Sequence, residues 1–288
     1  MTIDPKLPIF DGHNDALQSI YLPKSGKARS FFERTGEGHI DLPRMREGGF
    51  SGGFFAVFVR SNSSTGGFPG AMPDSAATAY EIPLPAPLDL TYARAITIKG
   101  MASLFRLEAE SEGQIKVIRT AAELTAALDR DVIAAVLHFE GAEAIDPDLD
   151  ALEVFYQAGL RSLGLTWSRP NGFAQGVPFK FPGSPDTGPG LSEAGRQLVR
   201  ACNRLGILID LAHITEQGFW DTAGISHAPL AVTHTGAHAL CPSTRNLTDK
   251  QLDAIKDTDG VVGVNFHVGF LREDGRREPN TPLSEIVR

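Results

Sequence analysis

Cysteine is nearly absent from this sequence: Cys202 and Cys241 are the only two, far apart and outside any CxxC pattern. Their scarcity excludes a disulfide framework and a cysteine-based zinc site. Clusters of basic residues are missing too, and the formal net charge of −8 has the wrong sign for gripping the phosphates of a nucleic acid. Long apolar runs are lacking as well. A stretch such as GGFFAVFV (52–59) is far too short to cross a bilayer, so no membrane partner is expected. The opening MTIDPKLPIF has neither the basic start nor the long apolar centre of a secretory signal. No GxGxxG follows any apolar run, which removes the usual dinucleotide fingerprint. These exclusions leave an expected cytoplasmic protein of 288 residues, 42% apolar and 22% charged, long enough to bury a sizeable core.

What the sequence does have is a rhythm. Apolar, strand-like runs recur at PIFDGH (8–13), GGFFAVFV (52–59), VIAAVLHF (132–139), RSLGLTW (161–167), GILIDLAH (206–213), PLAVTH (229–234) and GVVGVNF (260–266). Near-continuous apolar strands are what a parallel sheet covered on both faces requires. Helical stretches lie between them. Ser192 can cap a helix carrying Leu198, Val199, Cys202 and Leu205 on one face, with Gly206 ending it; Thr215 and Thr248 are placed to cap two more. The expected fold is a (β/α)8 TIM-type barrel in one domain over residues 1–288. An open doubly wound sheet is the alternative, disfavoured by the missing GxGxxG. Residues 60–131 interrupt the rhythm as an insertion: SNSSTGGFPGAMPDSA reads as loop and TYARAITIKGMASLFRLEAE as helix. Seven runs are one short of a full barrel, and the expectation is that the last strand unit is missing from this chain.

Functional side chains of a parallel barrel gather at the C-terminal ends of its strands. His13 and Asp15 stand two residues apart at the end of the first run, so they share a face of an extended segment. Glu140 ends the third run, His213 the fifth and His234 the sixth. Three imidazoles and two carboxylates on one rim suffice for two metal ions if one carboxylate bridges them. Singly, each has an ordinary explanation. A histidine at a strand end is more often a hydrogen-bonded rim residue, and Glu140 before Gly141 reads equally as a solvated loop carboxylate. Together on one rim, the ordinary explanations lose ground. His138 would sit one layer below Glu140 in a hydrogen-bonded core role, and Asp11, also a layer down, is placed to orient an imidazole. His39 and His227 fall in polar loops, and His238 is expected to face solvent or a helix.

The segments FDGHND (10–15), FEGAEAI (139–145), LIDLAH (208–213) and the long block from PLAVTH to GVNF (229–266) resemble the renal (membrane) dipeptidase family. These are binuclear zinc metallopeptidases of the amidohydrolase-like barrels. The matches occur in order and span nearly the whole chain. The resemblance implies two Zn2+ per chain, one held by His13 and Asp15, the other by His213 and His234, with Glu140 bridging as the catalytic carboxylate. It implies hydrolysis of dipeptides, including those with a C-terminal D-residue, by attack of a hydroxide held between the two zinc ions. It further implies a homodimer, and Arg245 as a substrate contact whose guanidinium receives the C-terminal carboxylate. Asn265, at the end of the seventh run, faces the same rim and is expected to hydrogen-bond substrate, and Trp167 is the third expected substrate contact.

Three departures qualify the resemblance. Where the family carries a substrate-contacting histidine in an LTH context, this sequence reads LTWSRPN, with Trp167 in that place and Arg169 and Asn171 as candidates to compensate. An indole donates one hydrogen bond but carries no positive charge. Phe270 stands where some relatives have a tyrosine. The family's catalytic aspartate belongs to a GSDFDG-like segment on the eighth strand, which does not occur before Arg288, so neither a closed barrel nor normal turnover is expected of this chain. Two other functions stay open at this point: a related metal hydrolase acting on N-acyl amino acids or other amides and esters, and a non-catalytic metal-binding homologue.

Overall fold

The computed structural model describes residues 8–23, 26, 28–61 and 74–287. The reading of 1–7 as no signal, and of most of SNSSTGGFPGAMPDSA as loop, lies outside the described residues. Ten strands are described: β1 (Ile9–Asn14), β2 (Phe50–Phe58), β3 (Tyr80–Ile82), β4 (Ile115–Val117), β5 (Ile133–Glu140), β6 (Leu160–Gly164), β7 (Phe179–Phe181), β8 (Leu208–Asp210), β9 (Ala231–Thr235) and β10 (Val261–Val264). Eight helices accompany them: α1 (Gln18–Tyr21), α2 (Leu42–Glu47), α3 (Leu90–Glu110), α4 (Ala121–Asp129), α5 (Asp150–Ala158), α6 (Glu193–Leu205), α7 (Glu216–Ile225) and α8 (Asp249–Asp257).

Seven of the strands form one path in the order β1-β2-β5-β6-β8-β9-β10, with every pairing along it parallel. Parallel strands need crossovers; α2, α5, α6, α7 and α8 provide five of them, and the chain from β2 to β5 crosses through α3 and α4. The result is a nearly closed (β/α)8-type barrel of seven strands. Its two end strands, β1 and β10, converge on β9. A Cβ on either Gly12 or Gly263 would collide with the carbonyl oxygen of Thr233, so only glycine allows both backbones this close. The open side runs along β10, where Val261, Val262 and Val264 are exposed.

β5 is the central strand, buried at every position of IAAVLHFE. Its register with β2 runs unbroken from Gly52–Ala134 to Phe58–Glu140, which fixes Glu140 at the rim beside Phe58. Its other edge is divided: β4 pairs with Ile133–Ala135, and β6 with Leu137–Glu140. Alternate side chains go opposite ways. Leu137 and Phe139 join the large core, with Phe139 meeting Phe155 of α5 edge-on at 5.1 Å. Ala134 and Val136 pack with Ile118, Ala127 and Leu124, so β4 and α4 of the 60–131 segment sit against the lower half of the strand. The helix in the same segment, α3, begins at an Asp89 cap whose side chain accepts the Tyr92 N–H. The other caps behave as their chemistry requires. Ser192 accepts the Gly195 N–H and Gly206 ends α6 with a left-handed φ of 72°, Thr215 accepts the Gly218 N–H, and Gln251 reaches back to the Thr248 N–H.

Three of the expected strands stop two or more residues short of the ends of their apolar runs, among them β10, which ends at Val264 and leaves Asn265 outside the strand. β6 stops at Gly164, leaving Trp167 in the following loop, and β8 stops at Asp210, three residues before His213. The short β3–β7 antiparallel pair has no signal in the apolar pattern.

Candidate metal centre

The C-terminal ends of β1, β5, β8 and β9 bring four of the five expected ligands together. His13 lies near the end of β1 and Glu140 is the last residue of β5. His234 is in β9. His213 follows β8 in a left-handed conformation (φ 66°), a backbone state that costs a non-glycine residue roughly 1 kcal/mol or more, and its carbonyl accepts the Val177 N–H at 2.7 Å. All three imidazoles turn Nε2 inward. His213 Nε2 lies 3.1 Å and His234 Nε2 3.7 Å from Glu140 Oε1, while His13 Nε2 lies 3.7 Å from Glu140 Oε2. The rings of His13 and His234 lie 4.1 Å apart, and the two Nε2 atoms of His213 and His234 are 3.0 Å apart. Asp15 stands at the edge. Its Oδ1 is 3.9 Å from His13 Nε2, its side chain is more than half exposed, and Gln18 Nε2 donates to it.

Burial sets the protonation of this cluster. It pushes Glu140 up to about 8, against the downward pull of His13. Burial works against a charged His13 too, but the Glu140 and Asp15 carboxylates outweigh it and carry the imidazole to about 9. His213 and His234 are held well below the ordinary histidine value by burial, with the positive charges of Arg245 and His13 adding to the effect. At the edge of the cluster, whose low-polarity surroundings would raise it, the Asp15 carboxyl is brought below its ordinary value by the nearby His13 and by the hydrogen bond from Gln18. Neutral imidazoles beside a carboxylate are the usual donor set for zinc. Between two Nε2 atoms 3.0 Å apart at most one proton fits, so at least one lone pair faces the cluster without a hydrogen. His13, Glu140 and His234 alone offer three ligand atoms within 4.8 Å of one another. The residues present therefore fit a divalent transition-metal ion.

Around the imidazoles the remaining ring nitrogens are held from outside: His213 Nδ1 by Ser168 Oγ at 3.0 Å, His234 Nδ1 by Thr233 Oγ1 at 2.9 Å. Neither Ser168 nor Thr233 was among the residues the sequence marked, because a hydroxyl beside a ligand has no periodic signal. His13 Nδ1 is buried without a partner among the described residues. His138 lies one layer below, fully buried, with Nδ1 2.9 Å from Ser162 Oγ, the core role expected of it. Asp11 differs from expectation. Its carboxylate accepts the backbone N–H of His13 and the amide of Asn14, and so secures the strand end without touching an imidazole.

The expected substrate contacts surround the cluster unevenly. Arg245 is buried, its Nη2 donating to the His234 carbonyl at 3.3 Å and its guanidinium 5.7 Å from the Phe270 ring. Burial brings it down to about 10, only partly opposed by Glu140 and Asp210. Trp167 packs at 4.8 Å from Phe58 and 5.7 Å from Phe179, with its ring 6.0 Å from His213. Arg169 and Asn171 are committed elsewhere. Arg169 donates to Glu143, the Val59 carbonyl and Ser61, while Asn171 shapes its own loop through Leu165, Phe173 and Ala174. The side chain of Asn265 accepts the His267 N–H.

Known proteins share this arrangement of chain. A solved metallopeptidase from Rhodobacter sphaeroides, liganded with a phosphinate mimic of the dipeptide L-Ala-D-Ala, superposes with a TM-score of 0.91 at 46% identity, over 98% of this chain and 80% of that one. The dipeptidase AC structure, a metallopeptidase of family M19, gives 0.89 at 48% identity with the same coverage. An uncharacterized protein encoded in the PQQ-III 3' region of Acinetobacter calcoaceticus is 39% identical over 288 residues, 98% of this chain and 87% of the relative. The family model for membrane dipeptidases, peptidase family M19, matches residues 2–287. Barrel, buried histidine–carboxylate cluster and full-length match agree, and the chain belongs to the membrane dipeptidase family of metallopeptidases.

Proposed function

We propose that this chain hydrolyses dipeptides bearing a free C-terminal carboxylate, including those with a C-terminal D-residue, at a centre holding two zinc ions. The observation that carries the reading is the division of Glu140: one oxygen faces His13, the other faces His213 and His234. A carboxylate shared in this way between two groups of imidazoles supports a bridging role, with His13 and Asp15 holding one ion and His213 and His234 the other. Zinc bound there would supply a water acidic enough to attack at neutral pH and would polarise the scissile carbonyl.

The chain's own residues do the rest. Arg245 is a buried cation with one hydrogen-bond acceptor, the His234 carbonyl, among the described residues, so its remaining N–H groups suit the two oxygens of a carboxylate. Trp167, Phe58 and Phe179 close the side of the cluster next to His213 and keep that imidazole neutral and poorly hydrated. The D-residue preference rests on the Rhodobacter sphaeroides relative, whose ligand mimics L-Ala-D-Ala.

The test combines metal content with a substrate panel, run on a version extended past Arg288 because the family's eighth-strand aspartate segment does not occur before that residue. Two zinc ions per chain and hydrolysis of L-Ala-D-Ala, with little turnover of its C-terminal amide, are expected. N-acetyl-D-alanine distinguishes the acyl amino acid alternative, because it keeps the carboxylate and lacks the amine. Metal-loaded protein inert towards the whole dipeptide panel would overturn the proposal.

A further inference from the structure

Beneath the ligands lies a chain of hydrogen bonds to which the proposed reaction assigns nothing. Asp210, the last residue of β8, is buried at 1% exposure. Its Oδ1 accepts the backbone N–H of Thr233 at 2.8 Å and of Ala212 at 3.1 Å. Its Oδ2 accepts the hydroxyl of Thr233 at 2.7 Å. The same hydroxyl oxygen stands 2.9 Å from His234 Nδ1. A threonine hydroxyl has one hydrogen to give. Given to Asp210, it leaves only lone pairs towards His234, and the imidazole must then carry its proton on Nδ1. The other nitrogen, Nε2, is left bare, and it is Nε2 that faces Glu140 and His213.

We infer that Asp210 and Thr233 act as a positioning pair that fixes the tautomer of His234, so that a bare Nε2 is presented to the metal centre. The inference rests on the metal reading of the site and adds to it the direction in which the proton is held. It explains two otherwise isolated facts. The first is an acidic residue buried among backbone N–H groups and a hydroxyl, with His138 Nε2 3.6 Å from its Oδ2 and no lysine or arginine bonded to it among the described residues. The second is the pair of glycines, Gly12 and Gly263, that let the neighbouring strands close onto Thr233, holding its backbone and hence its hydroxyl in one place.

Asp210→Asn reverses the polarity of the chain. The backbone N–H groups of Thr233 and Ala212 hold the amide oxygen on the Oδ1 side, so the amide N–H points at Thr233 Oγ1. The hydroxyl then turns its hydrogen towards His234 Nδ1 and drives the ring proton onto Nε2. Thr233→Ser keeps the relay, whereas Thr233→Val cuts it. Outer partners of this kind are typically worth about 10- to 100-fold in metal affinity.

The experiment has two readouts on the full chain. The first is the 15N spectrum of the histidine rings in metal-free protein, with His234→Gln used to assign the His234 signals. The second is Zn2+ affinity by competition with a chromophoric chelator. The expected result is an Nδ1–H tautomer for His234 in wild type and Thr233→Ser, an Nε2–H tautomer in Asp210→Asn, and zinc affinity lowered about 10- to 100-fold in Asp210→Asn and Thr233→Val. The double variant Asp210→Asn/Thr233→Val should bind no more weakly than Thr233→Val alone. An unchanged His234 signal and unchanged zinc affinity in folded Asp210→Asn would overturn the inference. If wild-type protein took up no zinc, the metal reading would fall, and the tautomer readout in metal-free protein would still decide the relay.

Discussion

Arg245 should be a residue whose removal makes the protein more stable and less active. It is 4% exposed, its partners among the described residues are one carbonyl and the face of Phe270, and burial lowers it from 12.5 to about 10. At about 1.4 kcal/mol per pH unit, that displacement makes the bare cation cost about 3 kcal/mol in the free protein. The charged form is the penalised one, so the cost is present at neutral pH and is relieved only as pH rises through about 10. Arg245→Met removes the charge and fills much of the volume. After subtracting the lost hydrogen bond to His234, a net gain of about 1–2 kcal/mol is expected in metal-free protein, or roughly 2–6 °C in Tm. Activity should move the other way. A substrate carboxylate that loses a buried guanidinium partner forfeits about 2–5 kcal/mol, so kcat/KM for L-Ala-D-Ala should fall about 30-fold to a few thousand-fold. The variant should also stop distinguishing the dipeptide from its C-terminal amide. Scanning calorimetry with a chelator present and steady-state kinetics on both substrates measure the two effects. A variant that loses several degrees of Tm yet still discriminates acid from amide would show that Arg245 is a structural cation, and the reasoning would fail.

Three further outcomes follow from other parts of the molecule. In metal-free protein His13 is raised from 6.5 to about 9 and Glu140 from 4.5 to about 8, so both favour the folded state at low pH and lose that contribution as pH rises. Tm measured with a chelator should therefore fall between pH 6.5 and 9, while the gain in Tm on adding Zn2+ should grow over the same range, because the ligands must shed protons to bind; a Tm in chelator that rises with pH would contradict this. Phe139→Ala empties a fully enclosed position against Phe155 and should cost about 3–5 kcal/mol in urea unfolding, with little change in KM for the protein that remains folded. Ser192→Ala removes the cap on α6, where the hydroxyl accepts the Gly195 N–H and donates to the Gly172 carbonyl, and should cost about 1 kcal/mol without altering kinetics.

The barrel strands were legible because a parallel strand covered on both faces has to be apolar along most of its length, as β2 is apart from Ser51 and β5 is as far as Leu137. The long helix α3 was legible for its length. What stayed hidden was short. β3, β4 and β7 are three residues each, below the length at which any period can be counted, and they are stabilised by partners far along the chain. Strand ends were overrun for a related reason: Leu211 and Ala212 are apolar like the residues before them, yet the chain leaves the ladder at Asp210 and His213 takes a left-handed φ. Hydrophobicity reports burial, and these residues are buried without being strand.

The site divides along the same line. His13, Glu140, His213 and His234 could be collected from sequence because the barrel rule places strand ends on one rim, and a rule about topology is enough to gather side chains within a few ångström. Asp15 shows where the rule weakens: sharing a face with His13 brought it near, but not into the buried cluster. How Arg169, Asn171 and Thr233 would be used could not be gathered at all. Arg169 looked like a spare cation for the missing family histidine, and its guanidinium is consumed by Glu143, Val59 and Ser61. Thr233 looked like an ordinary strand residue, and its single hydroxyl hydrogen decides which nitrogen of His234 is free. Sequence patterns carry position to within a residue or so; the direction of a proton depends on which neighbour can only accept, and the Asp210 carboxylate brought against the Thr233 hydroxyl by the fold has no hydrogen to give. On the proposed reading, the centre is therefore specified in two stages: the chain's periodicity sets which side chains meet, and packing that only the folded barrel supplies sets which of their nitrogens are free.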